Sequence, residues 1–159
     1  MGAGAPRHPC RLPRSRSRAR PAAPRRAAHG MERSLAMTTS LVTGACGFVG
    51  RHLVDALVER GDEVVASDVA TSGPRDDVRY EKVDLRDPEA VNALVRGVDV
   101  VFHSASVVHT RNTNVDTVFA VNVGGTDNLL DACRQHDCSR FVYVSSASAV
   151  YEGRDIENG

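Results

Sequence analysis

The sequence predicts an α/β fold built on a doubly wound parallel sheet, and three observations predict it. From Thr39 onward, short apolar runs alternate with amphipathic segments, the pattern of parallel strands joined by right-handed helical crossovers. Three glycines at intervals of three, Gly44, Gly47 and Gly50, stand where the first apolar run gives way to the first amphipathic segment. Polar and small residues recur at the carboxyl ends of the runs, where open α/β sheets bind ligands: Gly44, Asp68, Asp84, His103-Ser104-Ala105 and Ser145-Ser146.

Each element has its own signal. Thr39 to Val42 reads as a buried strand. Phe48 to Glu59 reads as a helix, with Val49, Leu53, Ala56 and Leu57 on one face, ended by Gly61. Glu63 to Ser67 is the second strand, with Asp68 at its end, and Thr71-Ser72-Gly73-Pro74 is a loop. Val78 to Val83 is a short third strand. Asp87-Pro88-Glu89 then opens a helix, with Asp as cap, Pro at the first helical position and Glu in the first turn. Ala90 to Val95 continues it and Gly97 stops it. Val98 to His103 is the fourth strand. One long helix is expected from Val115 to His136, because Val118, Asn122, Thr126, Leu129 and Cys133 fall at helical spacing. Phe141 to Ser145 is the fifth strand, and there are no internal repeats.

The glycine turn carries the chemistry. Glycine has no Cβ, so it takes positive φ without strain and lets a phosphate approach the backbone. The following helix presents unpaired N–H groups and the positive end of its dipole to an anion. Asp68 stands 18 residues after Gly50, where a carboxylate accepts hydrogen bonds from both ribose hydroxyls of an adenosine. The same charge repels a 2′-phosphate. Turn, helix, second strand and acid in this order imply a dinucleotide ligand, NAD rather than NADP.

The formal charge of zero conceals an asymmetry. Residues 1–30 hold eight arginines and no acid, whereas the remainder holds 12 Lys and Arg against 20 Asp and Glu. The 1–36 segment is rich in Ala and Pro and poor in large apolar residues, so it is expected to be a disordered arm. Its prolines break any amphipathic transit helix, and Arg25-Arg26 lacks the apolar region of an export signal. The favoured reading is that the arm has no function and is translated from upstream of the true start, with Met31 and Met37 as candidate starts. Binding of nucleic acid is not expected. No run approaches the roughly 18 apolar residues that span a membrane. Cys10, Cys46, Cys133 and Cys138 have neither zinc-type nor disulfide-framework spacing, which fits reduced thiols in the cytoplasm, and no metal site is expected.

Taken together, residues Thr39 to Gly159 resemble the extended short-chain dehydrogenase/reductase family, the NAD-dependent epimerase/dehydratase superfamily. The segment Thr43-Gly44-Ala45-Cys46-Gly47-Phe48-Val49-Gly50 resembles its TGxxGxxG turn, and Asp84-Leu85 its adenine-contacting pair. The run His103-Ser104-Ala105-Ser106 resembles the cofactor-lining loop after the fourth strand, and Asn122-Val123-Gly124-Gly125-Thr126 the N-V-x-G-T helix segment. Tyr143 to Gly159 looks most like the 3β-hydroxysteroid dehydrogenase branch, including sterol-4α-carboxylate 3-dehydrogenase, although Glu152 and a long turn set it apart from the epimerases.

The resemblance implies a Rossmann-type sheet and NAD as cofactor. It assigns cofactor contacts to Thr43, Gly44, Gly47, Phe48, Val49, Gly50, Asp68, Asp84, Leu85, Ser104, Ala105 and Asn122. It also implies a substrate-binding serine, with Ser146 first and Ser148 as the alternative, and a tyrosine base whose pKa is lowered by a lysine four residues on. That pair is missing: the only lysine is Lys82, and Tyr80, Tyr143 and Tyr151 have none at the required spacing. His103 is read either as flanking the cofactor or as a packed polar cap at a strand end. His109 and Arg111 are candidates for the substrate side, against a solvated loop.

The domain at 37–159 is therefore expected to be incomplete, truncated after five strands, without its substrate-binding part, marginally stable and catalytically silent. Three functions stand open. The first is an NAD-dependent dehydrogenase of a CH–OH group on a steroid or sterol. The second is a nucleotide-sugar epimerase or dehydratase. The third is a non-catalytic NAD-binding module. A homodimer is open to the full-length enzyme.

Overall fold

The computed structural model describes residues 37–70, 73–108, 114–146 and 149. The basic arm, Thr71, Ser72, His109, Arg111, Ser148 and Tyr151 lie outside the described residues.

Five strands form one parallel sheet: β1 (Thr39–Thr43), β2 (Glu63–Asp68), β3 (Arg79–Lys82), β4 (Val100–His103) and β5 (Arg140–Tyr143), in the order β3-β2-β1-β4-β5. The chain winds from β1 outward through β2 to β3. It then returns to the other side of β1 for β4 and β5, so the switch point lies between β1 and β4. The register makes the carboxyl ends level, with Thr43 opposite both Ser67 and His103. The residues after these strands therefore open onto one crevice.

Both faces of the sheet are covered, which is why the central strands read as nearly continuous apolar runs. Successive side chains alternate between faces. Val42, Val64 and Ala66 pack with Val54 and Leu57 of α1 (Phe48–Arg60). On the other face Leu41, Val65 and Val101 pack with Val91 and Val95 of α2 (Pro88–Val95) and with Leu129 and Cys133 of α4 (Gly125–Gln135). Asp87 caps α2, its carboxylate accepting from the N–H groups of Glu89 and Ala90 at 3.0 and 3.1 Å. Gly61 and Gly97 follow α1 and α2 at φ of 89° and 80°.

Two expectations are corrected. The buried stripe of α1 is Gly50, Val54 and Leu57, whereas Val49 and Ala56 are exposed and Leu53 is half-buried. Close packing sets this rotation: a Cβ on Gly50 would lie 2.0 Å from the Gly44 carbonyl oxygen, so the glycine side of the helix must face the turn. The expected long helix runs unbroken from Val115 to Gln135 but is not α-helical throughout. Its α-helical pieces α3 (Val115–Phe119) and α4 flank a π-helical turn over Ala120–Gly124, where the Gly125 N–H reaches the carbonyls of Ala120 and Val121. A single π turn inserts one extra residue and so rotates the helix beyond it relative to the helix before it. Here it lets Gly125 press on the Leu85 Cβ, where an added Cβ would stand at 2.8 Å, while Asn122 still reaches the loop after β4.

Strand β5 is shorter than expected and forms the sheet edge. Val142, Tyr143 and Val144 are exposed there, an apolar edge that pairs with no further strand among the described residues.

The glycine packing makes a signed prediction. Gly50→Ala forces the turn and α1 apart and should lower the unfolding free energy by about 2 kcal/mol. Gly124 has helical φ and ψ, and a Cβ there meets nothing within 4 Å. Gly124→Ala should therefore leave stability unchanged or raise it by about 0.5 kcal/mol. Denaturant titration of the two variants checks this, and equal losses would contradict it.

Candidate dinucleotide-binding cleft

The turn between β1 and α1 is closed by the Gly47 N–H donating to the Gly44 carbonyl at 3.0 Å, and it is braced by its neighbours. Gly44 has φ of 68°, and a Cβ there would meet the Ala105 backbone at 2.7 Å. The loop after β4 thus crosses directly against the turn, and only glycine fits. On the other side, the Ala45 N–H donates to the Ser67 carbonyl at 3.1 Å and the Cys46 N–H to Asp68 Oδ2 at 2.9 Å. Asp68 Oδ1 accepts from the Ala70 N–H at 3.2 Å. The carboxylate is fixed at the rim of the turn, with lone pairs left to accept further bonds.

The cleft that results is lined by Thr43, Gly44 and Gly47 of the turn and by Ser67, Asp68 and Val69 at the end of β2. Val83 and Leu85 after β3 and Ser104, Ala105, Ser106 and Val107 after β4 complete it. No side chain caps α1, and no acid stands in its first turn. The helix therefore begins beside the cleft, which its N-cap residue Gly47 lines, with no side chain competing for its first N–H groups.

The sequence-predicted residues separate into three groups. Thr43, Gly44, Gly47, Asp68, Leu85, Ser104 and Ala105 line the cleft. Phe48 and Val49 are exposed on the first turn of α1, and Gly50 lies buried behind the turn as a packing residue. Asp84, Asn122 and Ser146 are not among the lining residues. Asp84 is turned to Arg86, which binds its carboxylate at 2.6 Å and holds it below its ordinary pKa. Asn122 acts through the loop: its amide accepts from the Val107 N–H at 2.8 Å and donates to the Val107 carbonyl at 2.9 Å. Ser146 is exposed beyond β5, and its carbonyl accepts from the Ala149 N–H.

Ser67, Val69, Val83 and Val107 are not singled out by the sequence, whereas Ser106 falls in the run that resembles the cofactor-lining loop. Each residue so missed stands within two residues of one that is singled out. A search of whole strand ends, rather than of motif letters, would have included them.

His103 is the packed polar cap of the two readings. It is buried at the end of β4, with Thr43 Oγ1 2.6 Å from Nδ1 and Thr126 Oγ1 2.9 Å from Nε2. Burial pulls its pKa from 6.5 down to about 4. Burial first, and then the Asp68 charge, push the Cys46 thiol up, so the cysteine in the turn stays protonated at neutral pH. Among the described residues no group of three or more His, Cys, Asp or Glu is placed to hold a metal ion.

The histidine gives a pH prediction. A proton that the unfolded chain takes up below pH 6.5 is refused by the folded chain down to pH 4. Stability is therefore fully present above pH 6.5 and falls as the pH drops toward 4, by up to about 3 kcal/mol from this group. Unfolding free energies of the wild type should decline more steeply across that window than those of His103→Gln. Parallel curves would contradict the assignment.

The residues fit a dinucleotide on structural grounds alone: a cradle that a Cβ would fill, an uncapped helix tip and a fixed carboxylate at its rim. Comparison with known proteins agrees. Residues 41–159 match the 3-beta hydroxysteroid dehydrogenase/isomerase family. The 3 beta-hydroxysteroid dehydrogenase/Delta 5-->4-isomerase of Mycobacterium tuberculosis (strain CDC 1551 / Oshkosh) is 39% identical over 127 residues, which are 75% of this chain and 34% of the relative. The Bos taurus sterol-4-alpha-carboxylate 3-dehydrogenase (decarboxylating) is 35% identical over 118 residues, 74% of this chain and 33% of the relative. The chain spans about a third of the length of these relatives. Among solved structures, the UDP-glucose 4-epimerase of Thermus thermophilus in complex with NAD is 36% identical with a TM-score of 0.63, over 76% of this chain and 43% of the epimerase. A five-stranded parallel sheet, a glycine turn pressed between two strand ends and a match over residues 41–159 lead to one conclusion: the chain belongs to the 3-beta hydroxysteroid dehydrogenase/isomerase family.

Proposed function

We propose that the chain forms the NAD-binding half of a dehydrogenase that oxidises a CH–OH group on a 3β-hydroxysteroid or sterol. The observation that carries this is the pairing of Gly44, closed against Ala105, with Asp68, fixed by the Cys46 N–H at 2.9 Å. In this reading the turn and the first N–H groups of α1 hold the pyrophosphate. Asp68 accepts from the adenosine ribose hydroxyls, and Val83 and Leu85 offer an apolar wall to the adenine. Ser104, Ala105 and Val107 form the wall that leads toward the reacting end. Ser146, or Ser148, offers a hydroxyl to the substrate oxygen. When bound, NAD supplies the hydride acceptor.

The chain contains no Tyr-x-x-x-Lys pair, the base arrangement that the resemblance implies. We therefore assign to the 159-residue polypeptide cofactor binding without turnover, and we place the base and the steroid pocket in sequence that the longer relatives carry. No helix of the described residues is long and apolar enough to cross a membrane. We assign the protein to the cytoplasm with its thiols reduced. A second reading, a nucleotide-sugar epimerase, is favoured by one observation, the likeness to the UDP-glucose 4-epimerase. The two readings share the cofactor half.

Calorimetric titration of the chain with NAD and NADP tests the cofactor assignment. NAD should bind at least about tenfold more tightly, because the 2′-phosphate would stand beside the Asp68 carboxylate. Asp68→Asn keeps acceptor atoms but removes the charge, and it should narrow the ratio mainly by improving NADP. Equal affinity of the wild type for both would contradict the assignment.

A further inference from the structure

The hydroxyl of Thr126 has one proton and two candidate partners. Its oxygen lies 2.7 Å from the Asn122 carbonyl and 2.9 Å from His103 Nε2. A carbonyl oxygen only accepts, so the proton goes to Asn122, and the Thr126 oxygen must accept from His103. Nε2 therefore carries the ring hydrogen. At the other edge of the ring, Nδ1 lies 2.6 Å from Thr43 Oγ1. A ring with one hydrogen leaves Nδ1 bare, so the Thr43 hydroxyl donates to it. The Thr43 oxygen in turn accepts, at 3.4 Å, from the N–H of Ala105, the residue pressed against Gly44. Every hydroxyl proton and ring nitrogen along this path has one direction and no alternative. Burial, which disfavours the charged ring, is consistent with it.

We infer that His103 is a positioning residue, present as its Nε2–H tautomer, which ties the glycine turn to the π-helical turn through a one-way chain of hydrogen bonds. The chain runs from Ala105 N–H to Thr43 Oγ and from the Thr43 hydroxyl to Nδ1. It continues from Nε2–H to Thr126 Oγ and from the Thr126 hydroxyl to the Asn122 carbonyl. Asn122 itself grips both backbone groups of Val107. The two walls of the cleft, the turn at Thr43-Gly44 and the loop at Ala105–Val107, are thus fastened to each other through a buried ring that does not line the cleft. Asn122, inside the π turn, bonds Val107 through its side chain while its carbonyl accepts from the Thr126 hydroxyl. The consequence for ligand affinity rests on the dinucleotide reading, whereas the tautomer does not.

The test has two arms. In the wild-type chain, two-dimensional 15N–1H correlation of the histidine rings should show His103 Nε2 as the protonated, pyrrole-type nitrogen and Nδ1 as the bare, pyridine-type nitrogen, unchanged from pH 5.5 to 8. A protonated Nδ1, or an averaged signal from both forms, would overturn the inference. In the second arm, NAD is titrated into the wild type, Thr126→Val and Thr126→Ser. Thr126 does not line the cleft. Valine keeps the shape but removes the acceptor, so it should weaken NAD by about tenfold with the amide spectrum otherwise preserved. Serine should restore both affinity and tautomer. Loss of the ring's single tautomer in Thr126→Val with unchanged NAD affinity would overturn the positioning role. If the wild type shows the Nε2–H form but does not bind NAD, the dinucleotide reading fails and the hydrogen-bond chain stands.

Discussion

The structure depends on one backbone contact, the approach of α1 to the turn that precedes it. Gly50 lies so close to Gly44 that a methyl group between them would stand 2.0 Å from the Gly44 carbonyl oxygen. That approach fixes the rotation of α1, and hence which of its residues enter the core. It also brings the uncapped start of the helix, at Gly47, to the cleft. Packing and ligand geometry here have the same cause. A larger residue at either position would move the helix away from the sheet and the anion site away from the strand ends together.

Around this contact the cleft is assembled from three directions. The end of β2 holds the turn through Ser67 and Asp68, and the loop after β4 closes it at Ala105; Thr126 of α4 reaches His103, and Asn122 of the π turn holds that loop at Val107. None of these supports is local in sequence: His103 and Thr43 are 60 positions apart, and Asp68 and Cys46 are 22. The level register of β1, β2 and β4 makes them neighbours. A parallel sheet converts distant strand ends into one surface, and the polar residues placed there serve both as ligand contacts and as struts.

Much of this was legible in the sequence, because its strongest signals are local. The glycine turn, the cap at Asp87, the stops at Gly61 and Gly97 and the apolar strand runs each need only a few residues to be recognised. The inward stripe of Val118, Asn122, Thr126, Leu129 and Cys133 was also legible. The π turn inside it was not, because the inserted residue answers to Leu85 and Val107, which no helical periodicity contains. The face of α1 was misassigned for a related reason: periodicity favours Val49 and Ala56, but a glycine is the residue that must face the turn. His103 stood open between two roles, since only the fold brings Thr43 and Thr126 to its two nitrogens.

The central claim is that the Gly44 turn, the tip of α1 and Asp68 together receive the dinucleotide. Residue-resolved amide shifts of the 15N-labelled chain on addition of NAD test it most directly. The account predicts the largest changes at Gly44, Gly47, Phe48, Val49 and Asp68, with smaller ones at Ser104 to Val107. Changes centred on the outer face of α4, or none at NAD concentrations that saturate related enzymes, would contradict it.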